Sequence, residues 1–433
     1  MRSDGSAVSA LVGLDGFVVL AQVDVDGEWW VKVETIATVV GCESCGGWAV
    51  GHGRRLVQVR DLPVAGRPVR LVWAKRLWRC TEPACAVGTW SEECDEIAPR
   101  GVLTERARAE ICRRVGLECQ SVAQAARGLG VSWHTAMAAV RDHGRPRVDH
   151  LARLGAPAAI GLDETSFLAA TATRPTLLVT GIVDLDTSRL IDVVPARSAA
   201  AVRAWLAAKP APWRSGIGHV VIDPFQPYAT AARHELPDAR VVVDHFHVIR
   251  LANKSLDQVR RRVQQHLLGH RGRKVDPLYR IRRRLLAGAE RLDDAAMDRV
   301  LAWLDAGDPA GEVGAAYLAK ELLREVFATD DPFDARRRLV AFYDHCDCVD
   351  VDELTTLRRT ITRWETAILR WHRTGLTNGA TEGRNLIIKN IKRTGFGFRN
   401  FENYRLRLLL RSGAPWHTRP VAPIRPRHPR FIA

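Results

Sequence analysis

The chain has 433 residues, a formal net charge of +15 and a pI near 9.9. That balance favours a polyanionic partner, either nucleic acid or an anionic membrane surface. With 46% hydrophobic and 26% charged residues it reads as an ordinary folded chain of two to four domains. No run approaches the roughly 18 apolar residues of a membrane span, and the first residues lack the basic flank and cleavage site of a secretory leader. A cytoplasmic protein with no membrane partner is therefore expected.

Residues 14–34 alternate apolar and polar positions around Asp26-Gly27, a hairpin signal. Cys42-x-x-Cys45 follows, and Gly46-Gly47 supplies the tight turn of a metal knuckle. Residues 54–60 and 68–79 read as two strands around Ala65-Gly66, and Cys80-x4-Cys85 closes the segment. A hairpin flanked by two cysteine pairs is a zinc-ribbon pattern. Cys42, Cys45, Cys80 and Cys85 would hold one structural Zn2+ tetrahedrally and fix a small domain that has little core. His52 and Cys94 are the alternative ligands, because the second pair is slightly wide. The nine cysteines are not expected to form a disulfide framework in the cytoplasm.

Residues 104–144 read as helices. Ser121-Val-Ala-Gln124 is a capping-box pattern, Gly130-Val131-Ser132 makes a turn, and Ser132 can cap a further helix ending near His143-Gly144. Two short helices about a glycine turn fit a helix-turn-helix, with Trp133, His134, Thr135 and Arg141 as its groove-facing residues. An ordinary helical pair is the plainer reading; the zinc ribbon before it and the net charge favour DNA binding. A linker is expected from Arg145-Pro146 to Ala156-Pro157.

The apolar run of residues 158–163 reads as a strand that ends in Asp163, with Glu164 next. Residues 176–184 and 189–194 form a hairpin; 198–209 a helix; 219–223 a strand ending in Asp223; 227–236 a helix; 240–243 a strand. Three strands followed by alternating helix and strand is the RNase H-like order, α/β with a mixed sheet. In it the first and fourth strands are neighbours, so Asp163 and Asp223 would end side by side. From His247 to Leu285 the chain is helical and carries twelve Lys or Arg against Asp257 and Asp276, more than solubility requires. Arg250, Lys254 and Arg261 share a face that suits phosphates. Residues 291–353 are acidic, expected as a solvated or intersubunit face. Residues 248–375 read as one all-α insert. Glu382 opens a basic helix, 382–393, on which Lys389 and Lys392 lie away from the apolar stripe; a last helix follows at 401–411.

Two aspartates and a distant helix glutamate make a hard-cation site suited to Mg2+ or Mn2+. Two such ions serve an in-line displacement at a phosphodiester. Asp163 is the expected bridge, Asp223 and Glu382 the flanking ligands. Strand alternation turns Glu164 to the opposite face, in a supporting position. Asp244, which also follows an apolar run, is the rival to Asp223.

Gly161-Leu-Asp-Glu164, Asp223 with Tyr228, Asp244-His-Phe-His247, and Thr377-Asn-Gly-Ala-Thr-Glu382-Gly-Arg-Asn-Leu running on to Phe401 resemble the DDE transposases of bacterial insertion sequences, ISL3 family. The resemblance is specific over 158–247 and 376–411 and extends weakly to the N-terminal cysteines. It implies an enzyme that binds transposon terminal inverted repeats, frees a 3′ end and transfers it to target DNA, as a homodimer or higher assembly on double-stranded DNA. It also implies a bacterial protein that is nucleoid-associated when bound to DNA. His247 would complete an Asp-x-x-His signature, touching the scissile phosphate or ordering Asp244. A DNA-binding regulator with a decayed core, and a nuclease that does not join strands, are the alternatives. The expected map is a hairpin and zinc ribbon at 1–100, a helix-turn-helix at 101–150, the first part of the core at 151–250, the insert at 251–375, the glutamate and final helices at 376–413, and a poorly ordered Pro/Arg-rich tail at 414–433.

Overall fold

A computed structural model describes residues 13–36 and 39–416. Most of the Pro/Arg-rich tail, from residue 417 on, lies outside the described residues. The chain divides into two compact units, Met1–Arg153 with Asn390–Ala433, and Leu154–Lys389.

The first unit begins as a five-stranded sheet. Strands β1 (Phe17–Val25) and β2 (Glu28–Thr35) form one hairpin, and β3 (Ala49–Val64) and β4 (Arg67–Cys80) another. Both turn where left-handed backbone is required, at Asp26-Gly27 (φ 51° and 82°) and Ala65-Gly66 (φ 48° and 77°), which matches the twist of two-residue hairpins. Parallel pairing of β2 with β4 joins them in the order β1-β2-β4-β3, and β5 (Thr89–Ser91) adds to β4. The expected strand at residues 54–60 is longer because a break in register between Gly51 and Arg54 lets it resume toward the cysteines. Val31, Val33, Val59, Leu71 and Trp73 form the core.

Three helices follow: α1 (Glu105–Gly116), α2 (Val122–Gly128) and α3 (Trp133–Asp149), capped by the side chains of Thr104, Ser121 and Ser132. The sequence predicts that the third helix ends near Gly144, and it instead continues through Pro146 to Asp149. Gly144 is a packing position rather than a stop: a Cβ there would lie 3.1 Å from Leu410 and 3.3 Å from Leu406. The proline forfeits one backbone hydrogen bond, while burial of Val148 holds the added turn. Leu406 and Leu410 belong to the last helix, Phe401–Ser412, which packs on α1 and α3 in this unit. The expected map placed that helix with residues 376–413 in the core. Its buried leucines, on more than one face, find their partners in the helical part of the first unit instead.

The second unit holds a mixed sheet of β6 (Ala159–Leu168), β7 (Leu177–Asp184), β8 (Arg189–Pro195), β9 (His219–Ile222) and β10 (Arg240–Val243), in the order β10-β9-β6-β7-β8. The first three strands are antiparallel neighbours; β9 and β10 run parallel to β6. Helices α4 (Ala199–Ala207), α5 (Ala211–Ser215) and α6 (Gln226–Glu235) fill the crossovers. Then come α7 (His245–Leu268), α8 (Pro277–Leu286), α9 (Asp294–Gly307), α10 (Glu312–Glu325), α11 (Pro332–Cys348) and α12 (Asp352–Thr374). One apolar core runs from Ile160, Val220 and Val243 of the sheet through Val248 and Val259 to Phe342, Ile361 and Ile368. Part of the acidic stretch is neutralised here: Glu312 and Glu353 pair with Arg262, and Asp334 with Arg337 and Arg338. Helix α13 (Gly379–Thr394) starts against β6.

That last contact is tight. A Cβ on Gly161 would meet Thr381 Oγ1 at 2.2 Å and Asn378 Oδ1 at 2.8 Å. Gly161→Ala should therefore push the start of α13 off the sheet and destabilise the protein by about 1–3 kcal/mol. Urea denaturation of the variant measures this; wild-type stability would contradict the packing.

Candidate active site

The carboxylates gather because β6 outruns its neighbour. Strand β9 pairs with β6 only from Ala159 to Leu162, whereas β7 follows it to Leu168. Asp163 and Glu164 thus lie where one flank of β6 is uncovered, so Asp163 is mid-strand, not at the strand end expected. Asp223 follows the last residue of β9. Asp163, Glu164 and Asp223 each offer an oxygen, all within 4.8 Å of one another. Strict alternation placed Glu164 on the far face. Asp163 instead folds forward, its Oδ1 accepting from Glu164 N at 2.7 Å, and with no strand closing the flank the longer Glu164 side chain joins it. Arg197 balances Glu164 at 3.1 Å and lies 3.8 Å over the Phe225 ring.

Helix α13 supplies the rest. Asn385 Nδ2 donates to Asp163 Oδ2 at 2.5 Å. Glu382, one turn earlier, has a side chain 47% exposed and lies outside the three-carboxylate group; its Oε1 is 3.4 Å from His247 Nε2. His247 Nδ1 bonds Asp223 Oδ2 at 2.9 Å, whereas its buried Nε2 makes no hydrogen bond among the described residues, so Glu382 stands at ion-pair distance from the imidazole without being bonded to it. Asp244 is otherwise engaged. It caps α7 by accepting from Phe246 N at 2.8 Å, and its other oxygen accepts from Asn378 N. Its two oxygens serve backbone amides at the starts of α7 and α13, so His247 orders Asp223 rather than Asp244.

Burial, reinforced by the charge of Asp223, pushes the Asp163 carboxyl up to about 7. Burial alone would lower the pKa of His247, but its hydrogen bond to Asp223 and that residue's charge outweigh it, and the net shift is upward. Glu164 Oε2 and Asp223 Oδ1 are buried without a hydrogen-bond donor. Orphaned carboxylate oxygens facing like charges fit a hard divalent cation.

The four predicted thiols converge in the first unit. Cys42 Sγ lies 3.6 Å from Cys85 Sγ, and Cys45 Sγ 3.5 Å from Cys80 Sγ, with all four within 4.8 Å. A tetrahedral site with bonds near 2.3 Å has edges of about 3.8 Å, so the set fits zinc. Backbone amides of Cys45 and Ser44 draw the Cys42 thiol down to about 7, while burial and the neighbouring thiols push Cys45 and Cys80 up. Cys94 and His52 are not among the group.

The expected DNA contacts divide. Trp133, 43% exposed, and His134 project from the start of α3. Thr135 bonds to Ser132 Oγ at 2.9 Å, and Arg141 is turned onto Asn403 Oδ1 at 3.2 Å. Arg250 and Lys254 are exposed along a recess of about 670 Å³ between α7 and α8, with Arg271, Arg282 and Arg283. Arg261 borders it and pairs with Asp257 at 2.8 Å. Its neighbours differ: Arg260 is buried and Arg262 faces the acidic helices. Lys389 is exposed, and burial lowers the pKa of the half-buried Lys392. Sequence reasoning missed Arg197, Asn378 and the site role of Asn385. For Asn385 a signal existed, since its i,i+3 spacing from Glu382 puts both on one helix face.

A hard-cation cluster on a sheet and a thiolate cluster in the other unit define a metal-dependent class of protein. Comparison with known proteins narrows the class. Residues 160–408 match the ISL3 DDE family model described as transposase, and residues 38–85 match the zinc finger of the IS204/IS1001/IS1096/IS1165 transposases. The chain is 26% identical to the transposase for insertion sequence element IS1001 of Bordetella parapertussis, over 87% of this chain and 90% of that one. It is 29% identical to the transposase for IS1557 of Mycobacterium tuberculosis, over 70% of each. The chain belongs to the ISL3 family of DDE transposases, whose membership implies phosphoryl transfer on nucleic acid, a DNA partner and a divalent metal. Among the described residues, no helix is long and apolar enough to cross a membrane.

Two outcomes follow from this chemistry. A divalent ion must displace the proton that Asp163 holds up to about pH 7. Affinity for Mn2+ should then rise about tenfold per pH unit below 7 and level off above it; calorimetric titration from pH 5.5 to 8.5 checks this, and a flat profile contradicts it. Metal analysis of the purified protein should give one zinc per chain, lost in a Cys80→Ser, Cys85→Ser double variant.

Proposed function

We propose that the protein is the transposase of a bacterial insertion sequence, that it binds the element's terminal inverted repeats, and that it catalyses 3′-end cleavage followed by strand transfer into target DNA. The observation that carries this is the cluster of Asp163, Glu164 and Asp223 on the uncovered flank of β6, with Glu382 3.4 Å from the His247 ring that bonds Asp223. The strand order β10-β9-β6-β7-β8, three antiparallel strands and two parallel to the first, supports an RNase H-like core.

In this reading Asp163, Asp223 and Glu382 hold two Mg2+ or Mn2+ ions. The ions, when bound, activate the attacking water or 3′-hydroxyl and stabilise the leaving oxygen. Asn385 fixes the rotamer of Asp163, and His247 orders Asp223. Glu164 is a fourth carboxylate beside the ions, moderated by Arg197. Helices α2 and α3, capped by Ser121 and Ser132 about the Gly130 turn, act as a helix-turn-helix that presents Trp133, His134 and Thr135 to the groove; the Arg141 contact with Asn403 gives that residue a positioning role. The face of Arg250, Lys254 and Arg261 carries backbone phosphates, with Lys389 and Lys392 on the glutamate helix assisting. A structural zinc holds the N-terminal ribbon. The chain is organised as a hairpin and zinc ribbon at 1–100, a helix-turn-helix at 101–150, a catalytic core at 151–250 completed by the glutamate helix, and an all-α insert at 251–375, with the final helix in the first unit. Synapsis of two ends calls for a dimer or higher assembly, working on the nucleoid in the cytoplasm.

The test is cleavage of end DNA in Mg2+ by Asp163→Ala, Asp223→Ala and Glu382→Ala. Each should lose at least about a hundredfold in rate, with end-DNA affinity kept within about twofold, because binding rests on cations elsewhere. Normal cleavage by Glu382→Ala would sink the assignment. Cleaved but never joined products from the wild type would make the protein a nuclease.

A further inference from the structure

The strands that deliver Asp223 and Asp244 from their C-terminal ends begin with a histidine and an arginine. His219 opens β9 and Arg240 opens β10, and the two are paired across the strands. His219 and Asp223 are four positions apart, about 13 Å at 3.3 Å per residue. Here α12 brings Arg370 and Arg373 against the sheet, around a recess of about 530 Å³. Arg370 is fixed in place, its Nη1 donating to Val241 O at 3.1 Å. Among the described residues, Arg240, Arg370 and Arg373 form no ion pair, although arginines elsewhere in this unit are extensively paired with acids. The acid in the wall, Glu365, is engaged by the Tyr343 hydroxyl at 3.2 Å and lies 3.9 Å from Arg336.

The wall thus sets four arginines, Arg240, Arg336, Arg370 and Arg373, against the single acid Glu365, and an anion relieves the repulsion that remains. The repulsion registers on the groups themselves: burial first, and then the charge of Arg240, lowers the pKa of both His219 and Arg370. Guanidinium forks and a neighbouring threonine hydroxyl, Thr366, are donors suited to phosphate oxygens. Apart from the His219 ring, the wall offers no aromatic face on which a base could stack. The recess therefore matches the backbone of a nucleic acid better than a nucleotide, whose base would go unrecognised.

We propose that this recess is a second DNA-backbone site, apart from the carboxylate cluster and from the α7 face, where phosphates of duplex DNA dock on Arg240, Arg370 and Arg373. The choice of DNA as the polyanion rests on the transposase reading; the anion site does not.

The experiment measures affinity of the full chain for a labelled duplex of arbitrary sequence across a salt series. It compares wild type, an Arg240→Gln, Arg373→Gln double variant, and an Arg250→Gln, Lys254→Gln double variant. Both targeted arginines are exposed, and matching thermal melting curves establish that the fold is kept. Each lost phosphate contact removes about 0.9 from the slope of log K against log salt. The first double variant should lower the slope by about two units, additively with the second, and Arg373→Lys should restore part of it. An unchanged slope overturns the proposal. A parallel titration with inorganic tripolyphosphate separates the sources of phosphate: weakened tripolyphosphate binding with an unchanged DNA slope would assign the recess to a free polyphosphate and also overturn it. The readout is binding alone, so a protein that failed to cleave end DNA would refute the transposase reading and leave this result interpretable.

Discussion

Three carboxylates cannot share a buried space fully charged without help. At 4.8 Å and an effective dielectric near 20, each pair of unit charges repels by about 3–4 kcal/mol. Three such pairs approach the whole stability of a typical domain, about 5–15 kcal/mol. The second unit resolves this in stages. Arg197 offsets Glu164, Asn385 donates to Asp163, and His247 donates to Asp223. What remains is met by a proton on Asp163, whose pKa is pushed up to about 7, or by a divalent cation. The arrangement is thus costly without a ligand and suited to one, as expected of a site built for metal-assisted phosphoryl transfer.

The surrounding fold serves that cluster. The short strand β9 uncovers one flank of β6 so that Asp163, Glu164 and Asp223 can meet. The bare backbone at Gly161 lets α13 start against β6, which brings Asn385 onto Asp163 and Glu382 to His247. Asp244 ties the starts of α7 and α13 together through backbone amides. The long insert between β10 and α13 closes over a core continuous with the sheet, so the glutamate helix returns to strands more than 200 residues earlier in the chain (Asn385 to Asp163 spans 222 positions).

Much of this was legible in the sequence, for identifiable reasons. Alternation and turn chemistry located the hairpins at Asp26-Gly27 and Ala65-Gly66, because only a few residues tolerate left-handed backbone. The order of strands and helices after residue 158 placed β9 beside β6, and with it Asp223 beside Asp163. The paired cysteines met as expected. What the sequence concealed was lateral and long-range. Alternation fixes the direction of a Cβ but not the reach of a carboxylate, so it did not reveal that Glu164 brings an oxygen within 4.8 Å of Asp163 and Asp223 where β9 stops. Proline and glycine near residue 145 read as a stop, since the leucines that fill the space beside Gly144 lie more than 260 residues away. Charge runs gave sign but not pairing: among three successive arginines, Arg260 is buried, Arg261 borders a recess, and Arg262 binds the acidic helices.

The central claim is that Asp163 and Asp223, with Glu382, hold divalent ions at the reacting phosphate. Anomalous diffraction from crystals of the protein with an end-DNA duplex and Mn2+ tests it most directly. The account predicts manganese peaks with oxygen ligands from Asp163 and Asp223, and Glu382 turned in from His247 to complete the site. Manganese bound at Asp244 instead, or no peak at the cluster while DNA is seated, would contradict it.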